Sequence, residues 1–156
     1  MGEFGLDAFQ KKIKRRLSGL RGVVQYGCHA LRPFSITGFD NPYEPGKFEQ
    51  IMNIIGMQII DWPQKTECCG NPVGDLQPDL SIRIAENKAR AAGALGADMI
   101  CTACTHCQIQ YEMLNAISNY RNESAEAVLL TQVIGTAMGL GKEQMSQTGN
   151  LPQGLV

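Results

Sequence analysis

Hydrophobic residues follow two kinds of pattern along this 156-residue chain. Apolar positions at helical spacing predict amphipathic helices, and an Ala-, Arg-, Lys- and Glu-rich stretch predicts another. Short apolar runs between them predict buried strands. The predicted helices cover residues 7–20, 46–57, 80–95, from 105 onward and 132–140. The predicted strands cover residues 22–26, 58–62, 98–102 and 127–130, while three prolines and two glycines predict an irregular loop at 33–46.

The alternation of strands with helices predicts the α/β class, with a small parallel sheet of about four strands flanked by helices in a Rossmann-like arrangement. Residues 1–20 are expected to form an N-terminal amphipathic helix, 21–140 the domain itself and 141–156 a loose tail. In the helix that starts at 105, one shared apolar face is expected: Ile109, Met113, Ile117 and Tyr120.

The overall charge of −1 gives no bias toward nucleic acid or an anionic membrane surface. No apolar stretch approaches the ~20 residues that a membrane-spanning helix needs. The N-terminus lacks the pattern of a signal peptide, so a cytoplasmic setting is expected. A local basic run is expected to be a solvated helix face or a docking face for a protein partner: Lys11, Lys12, Lys14, Arg15 and Arg16.

Cysteines follow three of the predicted strands. Cys28 comes after the first, the pair Cys68 and Cys69 after the second, and Cys104 and Cys107 after the third. Carboxyl ends of parallel strands share one edge of the sheet, so these thiols are expected to meet there. A reducing compartment disfavours disulfides and favours metal binding or redox chemistry.

Thiolate ligation also fits the local sequence. Cys104 and Cys107 flank a predicted helix start, where free N–H groups and the helix dipole favour anionic sulfur. Neighbouring side chains such as Cys68 and Cys69 point apart, which suits a cluster of several irons better than one tetrahedral ion. Gly70 lets the backbone turn tightly beside the metal. Inert core thiols, disulfides, a zinc module and a dithiol oxidoreductase using Cys104 and Cys107 are the alternatives.

Three motifs occur in the same order and spacing as in a known family: Tyr26-Gly27-Cys28-His29-Ala30-Leu31-Arg32-Pro33, Glu67-Cys68-Cys69-Gly70 and Cys104-Thr105-His106-Cys107-Gln108. They resemble the cysteine-rich CCG domain of the heterodisulfide reductase B subunit, which identifies residues 21–140 as such a domain. The usual family member has two CCG domains, whereas this chain has one copy that is similar to the second half. It is therefore expected to be a fragment or a single-domain relative.

The resemblance implies a noncubane [4Fe–4S]-type cluster, with zinc as the alternative reported for some CCG domains. By position its ligands are Cys28, Cys68, Cys69, Cys104 and Cys107. It further implies redox chemistry on a disulfide or other sulfur compound, with other heterodisulfide-reductase-like subunits, including an iron–sulfur electron donor, as partners.

Three further residues stand beside these motifs. Cys101 forms a second CxxC with Cys104, where the family usually has no cysteine; it is a spare ligand, a redox-active thiol or a buried filler. His29 and His106 each adjoin a cysteine and are candidate proton donors to a leaving thiolate, alternative zinc ligands or plain loop residues.

Overall fold

The computed structural model describes residues 5–117, 125–141 and 155. The helices are α1 (Leu6–Gln10), α2 (Cys28–Leu31), α3 (Phe34–Thr37), α4 (Lys47–Ile55), α5 (Pro78–Ala94), α6 (Thr105–Ile117) and α7 (Leu130–Ala137). The strands are β1 (Arg21–Gln25), β2 (Gln58–Ile59), β3 (Met99–Thr102) and β4 (Glu126–Leu129). Two short 3₁₀ helices, Pro63–Thr66 and Asn71–Val73, lie between β2 and α5.

The four strands form one parallel sheet in the order β2-β1-β3-β4. β1 and β3 are the central pair, with Gly22 opposite Met99 and Gln25 opposite Thr102. The chain moves outward from β1 to β2, then crosses back so that β3 lies on the other side of β1. The strand order therefore reverses between β1 and β3, and in open parallel sheets ligands bind outside the carboxyl ends of strands at such a point.

Helices cover both faces of the sheet. On one face, α4 and α7 bury side chains such as Met52, Ile55 and Val133 against Val24 and Cys101. On the other, α5 and α6 bury Ala85, Ala89, Tyr111 and Leu114 against Val23 and Ile100. Because β1 and β3 are covered on both sides, successive residues in the middle of each strand are apolar: Val23 and Val24 in β1, and Met99 to Cys101 in β3. The predicted α/β class and its four-stranded parallel sheet with flanking helices are confirmed.

The predicted helix over 7–20 is wrong in extent, because α1 ends at Gln10. Further along, the N–H groups of Lys14 and Arg15 donate to the Ala137 carbonyl, and that of Leu17 donates to the Ile55 carbonyl, so the helix does not continue. Leu17 is buried in the α4/α7 layer. The basic run is exposed, but it lies on this irregular segment and not on a helix face.

Other predicted bounds also change. β2 stops at Ile59, so most of the predicted strand 58–62 is loop, and the predicted loop 33–46 contains α3. The helix bounds 46–57, 80–95 and 132–140 shift by one to three residues. In the tail, Leu155 is buried in the α4/α7 layer, whereas most of 141–156 lies outside the described residues.

The apolar face predicted for α6 is not the buried one. Ile109, Met113 and Ile117 are 47%, 50% and 60% exposed, and Tyr120 lies outside the described residues. The buried face contains Cys107, Gln110, Tyr111 and Leu114 instead. Among the described residues, no helix has the length and apolar character needed to cross a membrane.

This packing predicts different costs for two isoleucine truncations. Ile100 is fully buried in central strand β3, so Ile100→Ala should lower the free energy of unfolding by about 2–5 kcal/mol. Ile109 is 47% exposed, and Ile109→Ala should change it by less than about 0.5 kcal/mol. Urea unfolding of both variants under the same conditions checks this, and comparable losses would contradict the assignment of the α6 faces.

Candidate metal centre

The central strand pair brings the first and last cysteine motifs together. Cys28 begins α2, three residues after β1 ends, and Cys104 lies between β3 and α6. Since β1 and β3 pair in parallel, these two loops leave the same edge side by side. A Cβ added at Gly27 would lie 3.0 Å from the Cys104 Cβ atom and 3.6 Å from its Sγ. Glycine at this position therefore permits close approach of the two loops.

The middle motif reaches the same edge through a tight turn. Gly70 has a φ of +92°, and a Cβ there would lie 2.7 Å from the Ser81 carbonyl oxygen. Both the backbone conformation and the space at this position therefore require glycine. The Gly70 N–H donates to the Cys68 Sγ over 3.4 Å. The turn leaves Cys69 buried and Cys68 exposed, so the neighbouring thiols point in different directions, as the sequence predicted.

A buried polar network ties this turn to α5 and α6. The Ser81 hydroxyl donates to the Gly70 carbonyl over 2.9 Å. The Gln110 amide donates to the Ser81 hydroxyl and carbonyl oxygens over 2.9 and 3.1 Å, and its own oxygen accepts from Asn71 over 3.4 Å. Ser81 and Gln110 are nearly inaccessible to solvent, where hydrogen bonds are strong and unmade ones costly. The network thus fixes the position of Cys69.

The segment before the cysteine pair is anchored to the end of β1. The Trp62 indole donates to the Val24 carbonyl over 2.8 Å, and the Gln25 amide donates to the Glu67 carbonyl over 2.9 Å. The Tyr26 N–H donates to the Lys65 carbonyl. These bonds replace the strand pairing that ends at Ile59 and hold the second motif against the first.

Four of the five predicted ligands line one cavity of about 460 Å³. Its walls are Gly27, Cys28, His29, Ala30, Phe48, Cys69, Asn71, Pro72, Ala103, Cys104, Thr105, His106 and Cys107. Cys68 is exposed and does not line the cavity, although its charge acts on Cys28. The structure therefore brings Cys28, Cys69, Cys104 and Cys107 around a common space, with Cys68 beside it.

Cys101 is separate from this group. It lies within β3, is 1% exposed and packs in the α4/α7 layer, whereas Cys69 and Cys107 belong to the opposite layer. Burial raises the pKa of its thiol to about 12. Of the three roles that the sequence left open, this environment is that of a buried filler.

Both histidines line the cavity, and both are exposed to solvent. The structure thus brings His29 and His106 next to the cysteines in space as well as in sequence. The Arg32 guanidinium instead donates to the Thr66 carbonyl over 3.0 Å and is outside the cavity lining.

The thiols perturb one another electrostatically. A hydrogen bond from the Cys107 thiol lowers the pKa of Cys69 to about 6, helped by the Asn71 N–H and the Lys88 charge and opposed by burial. The same hydrogen bond and burial raise the pKa of Cys107. Burial, with the charges of Cys68 and Cys69, raises the pKa of Cys28. Of these three thiols, Cys69 is therefore the one most ready to act as a thiolate, the form that binds metal.

The sequence analysis missed two residues behind these thiols. Lys88, on α5, is 2% exposed, and burial lowers its pKa to about 8 against the opposing charges of Glu67, Cys69, Cys107 and Cys68. Tyr111, on α6, is 2% exposed, and burial together with Cys107, Cys69 and Cys68 raises its pKa. The sequence contained a signal for each residue. Lys88 lies on the same helical face as Ala85, Ala89 and Ala92, which indicates burial. Tyr111 follows Cys107 by one helical turn, which places it on the same side of α6.

These residues fit a sulfur-ligated cluster. Within the described ranges, no three His, Cys, Asp or Glu side chains are arranged as ligands of one metal ion. Cys28, Cys69, Cys104 and Cys107 line one space, and cysteine thiolates are the ligands that hold iron–sulfur clusters. The buried Tyr111 hydroxyl is outside the cavity lining and has no hydrogen-bond partner among the described residues, so its O–H is available to a thiolate such as that of Cys107.

Residues 23–112, more than half of the chain, match the family of CCG cysteine-rich domains. The chain therefore belongs to the CCG cysteine-rich domain family, as the three motifs predicted.

Three relatives align over nearly the whole chain. It is 27% identical to the 8-methylmenaquinol:fumarate reductase membrane anchor subunit of Wolinella succinogenes, over 94% of this chain and 52% of that protein. It is 25% identical to the B subunit of the ferredoxin:CoB-CoM heterodisulfide reductase of Methanosarcina mazei, over 98% of this chain and 52% of that protein. It is 28% identical to the heterodisulfide reductase B-subunit-like protein of Archaeoglobus profundus, over 92% of this chain and 50% of that protein. The chain thus spans about half the length of these relatives.

The unpartnered hydroxyl of Tyr111 predicts opposite effects of Tyr111→Phe in two states. In metal-free protein, removing an unsatisfied buried hydroxyl should stabilise the fold by about 1 kcal/mol, because the desolvation cost disappears. In metal-loaded protein, losing a donor to a metal-bound thiolate should destabilise the fold by a similar ~1 kcal/mol. The thermal unfolding midpoint, measured anaerobically before and after removal of metal by a chelator, checks both signs.

Tyr43→Phe is the matched control, since Tyr43 is 90% exposed and should change neither midpoint. An equal effect of Tyr111→Phe in both states would show that the hydroxyl does not interact with a bound group.

Proposed function

We propose that this domain binds a noncubane iron–sulfur cluster and serves in a heterodisulfide-reductase-like complex, in electron transfer to a disulfide or another sulfur compound. The proposed ligands are Cys28, Cys69, Cys104 and Cys107, which line the cavity, and Cys68, the exposed neighbour of Cys69. Zinc is the alternative occupant, in a module with a structural or docking role.

One observation carries the proposal: thiols from three loops, separated by up to 79 positions in sequence, surround a single cavity at the strand reversal. Unrelated core cysteines would be distributed through the strands and helices, as Cys101 is. The different directions of the adjacent Cys68 and Cys69 thiols support a cluster of several irons over one tetrahedral ion. Membership of the CCG family and the names of the aligned subunits support redox chemistry.

The chain's own residues have defined parts in this proposal. A bound iron–sulfur cluster supplies one-electron transfer and iron atoms with affinity for substrate sulfur. Reduction of a disulfide takes up two electrons and releases thiolates that need protons. His29 and His106 are at the solvent-facing wall, where each is able to hold a proton for such a thiolate. Phe48 and Ala30 give this wall apolar surface for a carbon chain.

The proposal includes partners, because the relatives are named as subunits and this chain spans about half of each. An iron–sulfur protein is proposed as electron donor and other heterodisulfide-reductase-like subunits as neighbours. A cytoplasmic setting, in which thiols stay reduced, is part of the proposal.

The test is anaerobic purification of the full chain, followed by visible and EPR spectroscopy and by measurement of iron, sulfide and zinc. Broad visible absorbance with stoichiometric iron and sulfide is the expected result. Colourless protein with one bound zinc, in cells grown with sufficient iron, would support the zinc module. Colourless, metal-free protein with a titratable dithiol would support a dithiol oxidoreductase and contradict the proposal.

Two cysteine substitutions are expected to separate ligand from filler. Cys69→Ala should abolish iron binding, whereas Cys101→Ala should leave at least about half of it, because Cys101 is in the opposite core layer. Alanine replaces both cysteines for two reasons. A serine oxygen at position 69 is able to bind iron, and a serine at position 101 would leave an unsatisfied hydroxyl inside β3. The iron-to-protein ratio and visible absorbance of both variants measure the difference. Equal losses would refute the ligand assignment.

A further inference from the structure

Lys88 is the one charged side chain among the buried residues that the structure describes. It projects from the middle of α5, with only 2% of its side chain exposed. Burial of an ammonium group is costly unless anions or hydrogen-bond acceptors compensate for the lost water. Alanines 85, 89 and 92 occupy the neighbouring buried positions of the same helix, so packing alone does not require a lysine.

The visible partners of Lys88 compensate for its charge only in part. Its Nζ atom donates to the Gln64 carbonyl over 2.6 Å and lies 4.9 Å from the centre of the Trp62 ring, and both of these groups are uncharged. The Glu67 carboxylate is 3.9 Å away, but its side chain is 58% exposed, so solvent weakens that ion pair. No Asp or Glu is among the buried residues that the structure describes. The ammonium is therefore held in place without a fully buried carboxylate as its partner.

Both neighbours of the ammonium connect it to the thiols: Trp62 packs in the same hydrophobic layer as Cys69 and Cys107, and Glu67 directly precedes Cys68. Cys69, Cys107 and Cys68 each interact electrostatically with Lys88, and two of them line the cavity. Lys88 itself is not in the cavity lining. Its charge therefore influences a group bound in the cavity through its electric field. Lys88 does not coordinate that group. A buried charge is screened much less by salt than a surface charge.

We propose that the buried ammonium of Lys88 raises the reduction potential of the redox centre held at Cys69 and Cys107. Uptake of one electron makes such a centre more negative by one charge, and a nearby fixed cation stabilises the reduced form more than the oxidised one. Net charge and burial are established determinants of iron–sulfur potentials. The inference rests on the proposed function, because it requires a reducible centre in the cavity.

The test is an EPR-monitored redox titration of the anaerobically purified full chain, with dithionite as reductant. Lys88→Met keeps the volume and removes the charge. At a fixed potential its ratio of reduced to oxidised centre should be about tenfold lower than in wild type, which equals a fall of ~59 mV for a one-electron couple. Lys88→Arg retains the charge, so its reduction potential should be closer to that of wild type than to that of the methionine variant.

Arg83→Met is the matched control for overall charge, because Arg83 is exposed on the same helix. It should leave the potential unchanged. Lys88→Gln, which keeps a hydrogen-bond donor for the Gln64 carbonyl, is measured in parallel so that loss of charge is separated from loss of that bond. Iron-to-protein ratios and thermal unfolding midpoints of every variant verify that the centre and the fold are retained.

The outcomes separate this inference from the proposed function. Wild-type protein without a reducible centre would overturn both. A reducible wild-type centre with unchanged potentials in the neutral variants would overturn only the role of Lys88. If neither neutral variant retains the centre while Lys88→Arg does, Lys88 serves assembly of the site and the inference is overturned as well.

Discussion

Parallel pairing of β1 with β3 is the constraint on which the arrangement of this domain depends. It sets Gly22 opposite Met99 and Gln25 opposite Thr102, so both strands end at the same level. The loops that follow carry Cys28 and Cys104 away from one edge, at the point where the strand order reverses. Backbone hydrogen bonds thus define the separation of these two thiols.

The second cysteine motif depends on different forces. β2 is only two residues long and ends before the motif, so sheet pairing does not place Cys69. Side-chain hydrogen bonds from Trp62 and Gln25 hold the segment before it, and the network of Ser81 and Gln110 holds the turn at Gly70. One cavity is therefore assembled from a rigid pair of strand ends and a turn fixed by buried polar contacts. The glycines at 27 and 70 are required at the two closest approaches.

Sequence patterns predicted the strand and helix order because local apolar runs are a direct consequence of burial on both faces of a parallel sheet. They also predicted that cysteines from three loops meet at one edge. They failed for residues 11–20, where the apolar spacing is helical but the N–H groups of Lys14 and Leu17 find carbonyls in other elements. They failed again on α6, where Tyr111 and Gln110 occupy the buried face in place of Ile109 and Met113. Tertiary contacts override local preference in both cases.

The two hydrophobic layers lie on opposite faces of the sheet, and each is built mostly from aliphatic and aromatic side chains. Small zinc-finger domains, by contrast, fold only when metal joins their ligands. Here the apolar layers supply the driving force for folding, and His29 and His106 face solvent at the cavity wall. The polypeptide is therefore expected to fold without metal, so that the cavity exists before any ligand enters it.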